Sequence, residues 1–285
     1  MNQNSLVALE ERILNGCSSG EIELPTLPNI ALKIKDAVND PSKDLNQIAK
    51  LLEMDPNIAA SVIKLANSSV FSGYSAASSC REAVARLGIH VIKDIVMCIA
   101  INNLFSDSNP QIKYKLSKVL DKSRRVGAIS YVIGSIVKGK QSEKAMLAGL
   151  ISQIGTLPII SYLSRFQKIC ESPDVFEKVV HELSGQVGTI ILEQWNFDKE
   201  LICVPLNFEN WFRDEKLESD YADIIIVANI HSIYGHSEPG VKIPPLIEIP
   251  AFTKLGISKL GPQSSLEILA EAQEDIRNAE KMLLL

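Results

Sequence analysis

The chain has 285 residues, 46% hydrophobic and 22% charged, with 15 Gly and 13 Pro, proportions that exclude a disordered or fibrous protein. At roughly 100–200 residues per domain this length allows one large domain or two modest ones, each able to bury a core unaided. A net charge of −5 and an aromatic content of 6% offer neither the basic field nor the stacking platforms of a nucleic-acid binder, so direct nucleic-acid binding is not expected.

Helical periodicity dominates in chain order. The N-terminus, MNQNSLVALEERILNG, lacks the apolar core of a secretory signal and reads as a helical extension over 1–20. In PNIALKIKDAVN (28–39), Ile30, Ile34, Ala37 and Val38 share one helix face. Asp44, with Gln47 three residues on, forms a capping-box start for a helix carrying Leu45, Ile48, Leu51 and Leu52. Asp55 sets a capping carboxylate directly before Pro56, a residue suited to the first helical position. That helix presents Ile58, Val62, Ile63, Leu65 and Ala66 and ends at Asn67-Ser68-Ser69, whose side chains compete for backbone hydrogen bonds.

A loop through Gly73-Tyr74-Ser75 leads to a helix over Arg81–Leu87, stopped by Gly88, and to another from Val91 to Leu104. Further helices are predicted over 115–137, 143–151, 174–194, 220–234 and 264–283, while VKIPPLIEIPAF (241–252) is Pro-rich and extended. The block Ile224-Ile225-Ile226-Val227 fits a buried strand or a buried helix turn, and its flanks favour helix. The fold class is all-α.

Five cysteines, scattered and never spaced C-x-x-C, fit neither a disulfide framework nor a zinc ribbon and point to a reducing compartment. Cys98 and Cys203 lie in apolar contexts and read as packing residues, and Trp195 as a core anchor. The apolar run Ile89–Ile101 is cut by Lys93 and Asp94 and falls short of the roughly 20 residues of a membrane helix, so a cytoplasmic protein without membrane attachment is expected. Charge is uneven: residues 113–144 hold nine Lys/Arg against two acids, and 171–223 hold thirteen acids against four bases. These are either complementary or solvated faces, or, for the basic stretch, an anion-binding surface.

The four histidines, His90, His181, His231 and His236, form no His-Asp dipeptide and no H-E-x-x-H, and read as surface or helix-end residues rather than ligands. Phosphate-loop, dinucleotide and G-x-S-x-G fingerprints are missing. No catalytic constellation, cofactor or metal is implied by the residues themselves.

LPTLPNIALKI (24–34), LLEMDPNIAASVIKLANSS (51–69) and AVARLGIHVIKDIV (83–96) together strongly resemble the HDOD domain, a bacterial signalling module related to HD phosphohydrolases. The resemblance continues through AGLISQIGTL (148–157), GQVGTIILEQW (185–195) and YADIIIVAN (221–229). It implies a multi-helical HD-related bundle over 21–230, with an N-terminal lobe at about 21–105, an HD-like lobe at about 113–230 and a C-terminal extension over 231–285. Catalytic HD relatives carry His-Asp where this chain has Ser152-Gln153. By the same resemblance, other former ligand positions fall at Lys122 in DKSRRVG and near Ser184 and Asn207. A neutral Ser/Gln pair does not supply the donors of a dinuclear metal site.

Each candidate has two readings. Ser152 and Gln153 are helix-end packing, or a retained cleft that binds a ligand without hydrolysing it. Asp55, Asn67 and Ser68 are caps and turn residues, or a partner-docking surface. Lys122, Arg124 and Arg125 are a solvated helix face, or the holders of a phosphate or cyclic dinucleotide. The leading expectation is a non-enzymatic signalling module acting on signalling or regulatory proteins or on a small ligand, with output from partners, since the sequence shows no receiver, cyclase or DNA-binding segment. The alternatives are a phosphohydrolase with a displaced site involving His181, Glu182 and acids of 171–223, and a nucleotide sensor using 113–144.

Overall fold

A computed structural model describes residues 3–68, 70–71, 75–106, 109–214, 218–236, 242–256 and 272–284. The apolar stripes of the sequence become helices, and no strand occurs among the described residues. The first six are α1 (Gln3–Ser19), α2 (Asn29–Asn39), α3 (Leu45–Leu52), α4 (Pro56–Ala66), α5 (Cys80–Leu87) and α6 (Ile89–Leu104). They continue with α7 (Pro110–Ile136), α8 (Ser142–Ile151), α9 (Thr156–Leu163), α10 (Gln167–Cys170), α11 (Pro173–Gln194), α12 (Lys199–Ile202) and α13 (Val204–Asn207). The last are α14 (Tyr221–His236), α15 (Pro250–Leu255) and α16 (Gln273–Leu283).

Local chemistry sets the starts. At α3 the Asp44 carboxylate accepts from the Gln47 backbone N–H while the Gln47 side chain accepts from the Asp44 N–H, both at 2.9 Å. At α4, Asp55 Oδ1 accepts from the N–H groups of Asn57 and Ile58 at 2.9 and 3.1 Å. Two starts lie two or more residues ahead of the expected ones. Helix α6 begins at Ile89 because Gly88, at φ +83°, breaks the chain direction and its carbonyl already accepts from Ile92 N. Helix α7 begins at Pro110 because Asn109 caps Gln111 N at 3.0 Å ahead of a proline at the first position, the device used at Asp55-Pro56.

The Pro-rich stretch has no regular structure over 242–245, then forms a 3₁₀ turn at Leu246–Glu248 and enters α15. Ser69, residues 72–74, Val241 and residues 264–271 lie outside the described residues. The Ile224–Val227 block is helical, buried within α14. Its start is fixed by buried Arg213, whose guanidinium donates to Asp220 at 2.8 and 2.9 Å and to Asp223 at 3.3 Å.

Helix α7 is the spine, packed by α8, α14 and α16. Ser142–Leu163, comprising α8, a turn and α9, is apolar and long enough to cross a membrane by length and composition, a stretch longer than Ile89–Ile101. It lies in the interior, with 83% of the window buried. The basic and acidic segments meet at Lys144, whose ammonium lies 3.2 Å from Asp198 and 2.9 Å from Glu200. Trp195 and Cys98 are buried as expected, whereas Cys203 is half-buried. His231 departs from the surface or helix-end reading. It sits inside α14, 7% exposed against the Phe252 ring, because that helix is buried on every side from Tyr221 to Ile233.

Candidate functional site

Helix α8 ends at Ile151 and the chain turns through 152–155 into α9. Two glycine contacts set where that turn lies. A Cβ on Gly149 would fall 2.5 Å from the Gly127 Cα of α7, and one on Gly155 would fall 2.0 Å from the Ser184 carbonyl of α11, so backbone touches backbone at both places. The turn is thus held between α7 and α11.

The two residues of the turn diverge. Ser152 is buried and its hydroxyl donates to the Gly149 carbonyl at 2.7 Å, spent on the end of its own helix. Gln153 lines a cavity of about 710 Å³, and its Nε2 is buried without a hydrogen-bond partner. Ile112 and Val119 of α7, Ile160 of α9 and Phe176 and Val180 of α11 give the cavity apolar walls, closed by Phe208. Exposed Lys115, Lys118, Glu177, His181 and Glu209 form its rim. Lys115 Nζ stands 4.1 Å from the Phe176 ring centroid and Lys118 Nζ 4.6 Å from that of Tyr114, both cation–π contacts. Across the rim, His181 Nε2 lies 2.5 Å from Glu209 Oε2.

Of the other positions that the HD resemblance marks, one lines the cavity and two lie beside its Phe208 wall. Ser184 lines the cavity and its hydroxyl donates to the His181 carbonyl at 3.3 Å. Lys122 Nζ is 5.7 Å from the Phe208 ring centroid. Asn207 is buried just before Phe208, donating to the Cys203 carbonyl at 2.9 Å and accepting from Asn210 at 3.4 Å. An HD-type dinuclear centre needs imidazole and carboxylate donors facing one ion. An ammonium, two hydroxyls and two carboxamides do not fit one. Among the described residues no group of three or more His, Cys, Asp and Glu is placed to hold a metal ion.

The remaining candidates lie elsewhere. Asp55 is the α4 cap. Asn67 clamps the chain after it, its Nδ2 donating to the Ala77 carbonyl at 2.8 Å and its Oδ1 accepting from Ala77 N at 2.7 Å and from Arg86 at 3.1 Å. Ser68 lines a second cavity, about 520 Å³ between α4 and α16, and its hydroxyl is buried without a hydrogen-bond partner. Arg124 and Arg125 do not line the main cavity. Arg124 donates to Asn102 at 3.0 Å, and Asn102 in turn donates to the Leu283 carbonyl at 2.6 Å, so it ties α7 to α6 and α16. Arg125 has a buried, unpartnered Nε. Consecutive helical residues point about 100° apart, which separates the pair. Glu182 lies 3.7 Å from Lys178 on α11, away from the His181–Glu209 pair. The rim residues Lys115 and Lys118 were legible in one respect: with Lys122 and Arg125 they recur every three or four residues along one face of α7.

The fold has known counterparts. The chain is similar to a "putative metal-dependent phosphohydrolase" from Shewanella amazonensis SB2B, 23% identical, with 99% of this chain and 100% of that one covered and a TM-score of 0.80. It is also similar to an HDOD domain protein with unknown function from Geobacter sulfurreducens, 20% identical, with 99% and 98% covered and a TM-score of 0.71. At such identities the likeness shows a shared fold. An uncharacterized protein of Treponema pallidum (strain Nichols) is 20% identical over 191 residues, 63% of this chain and 36% of that protein, so the chain spans about a third of this relative's length. The HDOD domain family matches residues 24–209, from the L-P-x-L-P motif through the turn at Ser152-Gln153 to the cavity rim at Glu209, and the chain belongs to that family.

Proposed function

We propose that this HDOD chain is a non-catalytic regulatory module, which passes a signal by binding a small ligand in the cavity beside Gln153 or by binding signalling proteins. The observation that carries the reading is the turn after α8. Where catalytic HD relatives carry His-Asp, a hydroxyl is turned back onto its helix and a glutamine lines the cavity with its amide nitrogen buried. Neither group lowers the pKa of a water or polarises a phosphoryl oxygen as a bound metal does. The five free cysteines support a reducing, cytoplasmic setting.

The test is hydrolysis of bis(p-nitrophenyl) phosphate with Mn²⁺, Mg²⁺ or Ni²⁺, alongside elemental analysis of the tag-free protein. The expected result is a rate equal to the metal-only blank and no stoichiometric transition metal. Metal-dependent hydrolysis that co-purifies with the chain and falls in Gln153→Ala overturns the reading. A displaced-site hydrolase, the second reading, rests on the His181–Glu209 contact at the rim, an imidazole and a carboxylate at hydrogen-bond distance. It requires that hydrolysis fall in His181→Ala.

A further inference from the structure

The second cavity, about 520 Å³, lies between α4, inside the stretch that matches the HDOD family, and α16, beyond it. Leu65 and Val70 line it from the α4 side, and Met282 and Leu284 from the end of α16. Lys64 and Lys281, both exposed, also line it, one from each helix. Each lysine stands in the last turn of its helix, where a cation complements the helix dipole. That role accounts for each lysine alone and not for both lining one cavity. Among the described residues neither has a carboxylate within ion-pair distance. No acid and no aromatic ring occurs among the described residues that line the cavity.

We propose that the cavity between α4 and α16 binds an amphipathic anion, a carboxylate on an unbranched alkyl chain, with the carboxylate at Lys64 and Lys281 and the chain along the aliphatic side chains. Charge complementarity selects an anion, since no acidic lining residue opposes it. The aliphatic lining selects the chain, because each methylene taken out of water adds to affinity and the thioether of Met282 adapts to an irregular partner. A nucleotide base would find no ring to stack on. Bare phosphate would leave the aliphatic lining unused, and a neutral hydrocarbon would leave the lysines without a role. A volume of about 520 Å³ lies in the usual range for small-molecule sites, about 300–1,000 Å³. Asn67, which also lines the cavity, clamps Ala77 and Arg86, so an occupant abuts the segment joining α4 to α5. A ligand here requires nothing of the cavity beside Gln153, nor that the chain be non-catalytic.

The test titrates the full chain with decanoate, with decanol, acetate and inorganic phosphate as separate arms. The chain has five methionines, so labelled methionine methyl groups read by NMR, with Met282 assigned through Met282→Leu, report binding at this cavity. Decanoate is expected to shift the Met282 signal and to leave the labelling rate of Cys170, an exposed thiol that lines the main cavity, unchanged. The Lys64→Gln, Lys281→Gln double variant should weaken decanoate about tenfold or more, as loss of hydrogen bonds to a charged group does, and bring it to the level of decanol. Both lysines are exposed, so this variant should melt with the wild type. Lys138→Ala, on the exposed loop after α7, should change nothing.

No shift of Met282 by decanoate, or slowed Cys170 labelling without that shift, overturns the proposal. So does a Met282 shift by decanol, acetate or phosphate at as low a concentration as by decanoate, or a decanoate affinity unchanged in the double variant. Sedimentation with phosphatidylglycerol vesicles separates a free anion from a lipid surface: vesicle binding that is lost in the double variant, with no effect of free decanoate, assigns the lysines to a membrane and overturns the proposal as well.

Discussion

The buried ammonium of Lys35 donates to the carbonyl of Trp195 at 2.7 Å, and to that of Asn196 at 2.9 Å, closing the C-terminal end of α11 with a positive charge. The Trp195 indole N–H in turn donates to the Pro25 carbonyl at 3.2 Å. The L-P-x-L-P segment and α2 are thereby tied to the helix that walls the main cavity.

Lys35→Met should lower stability by about 2–3 kcal/mol, since it leaves carbonyls of a helix end buried with no charged donor. Trp195→Phe, which removes one neutral hydrogen bond and keeps most of the ring, should cost about 1 kcal/mol. Denaturant midpoints measure both, and equal losses would show that the ammonium adds nothing beyond packing.

Gly155→Ala should be more damaging than Gly139→Ala. The first puts a methyl group 2.0 Å from the Ser184 carbonyl and 2.4 Å from Gly188 N, where only movement of α11 makes room. Overpacking of this kind costs about 1–3 kcal/mol or more. The second meets open space and only the strain of φ +79°, about 1–2 kcal/mol. Thermal melts of the two variants, with Cys170 labelling to report on the cavity, check the order.

Asp55→Ala should cost about 1 kcal/mol, the ordinary loss of a helix cap. Asn67→Ala should cost about 2–3 kcal/mol, because both polar backbone groups of Ala77 and one donor of Arg86 lose their partner together. Hydrogen exchange should rise around residues 75–79 in the second variant and not in the first. Uniform exchange in both would argue that the clamp is dispensable.

Burial holds the His231 ring neutral, its pKa down at about 4 against an ordinary 6.5. As pH falls below 6.5 the unfolded chain takes up a proton that the folded chain refuses. The contribution of His231 to stability is therefore full above about pH 6.5 and is lost progressively toward pH 4. Asp94 and Asp223, whose pKa values burial raises, act in the opposite sense, gaining stability as pH falls. The difference between wild type and His231→Gln isolates the histidine. The wild type should lose more stability over that window, and its ring protons should titrate near pH 4 by NMR.

What the sequence made legible was local. The Asp44/Gln47 box, the Asp55-Pro56 start and the Gly88 stop depend on neighbours within a turn, and each acts as its residue types dictate. The Asn109-Pro110 start of α7 used the same chemistry and was legible in kind, though the expected boundary lay at residue 115. The cavity rim was harder to read. That Lys115 meets Phe176, or that His181 meets Glu209 beyond α12 and α13, depends on how distant helices cross. Arg124 and Arg125 form one charged pair in the sequence, yet adjacent positions on a helix serve different faces. His231 departs from what its residue type suggests because its neighbours in IIIVANIHSI bury it.

At Gly127 and Gly149, α7 and α8 meet with no side chain between them, and Gly155 meets α11 in the same way. The address of the turn at 152–153 is therefore written at positions that carry no chemistry of their own. Side chains at 152 and 153 are tenants of that address, here a hydroxyl and a carboxamide. Substitution at the glycines moves the site, whereas substitution at the tenants changes only what the site can do.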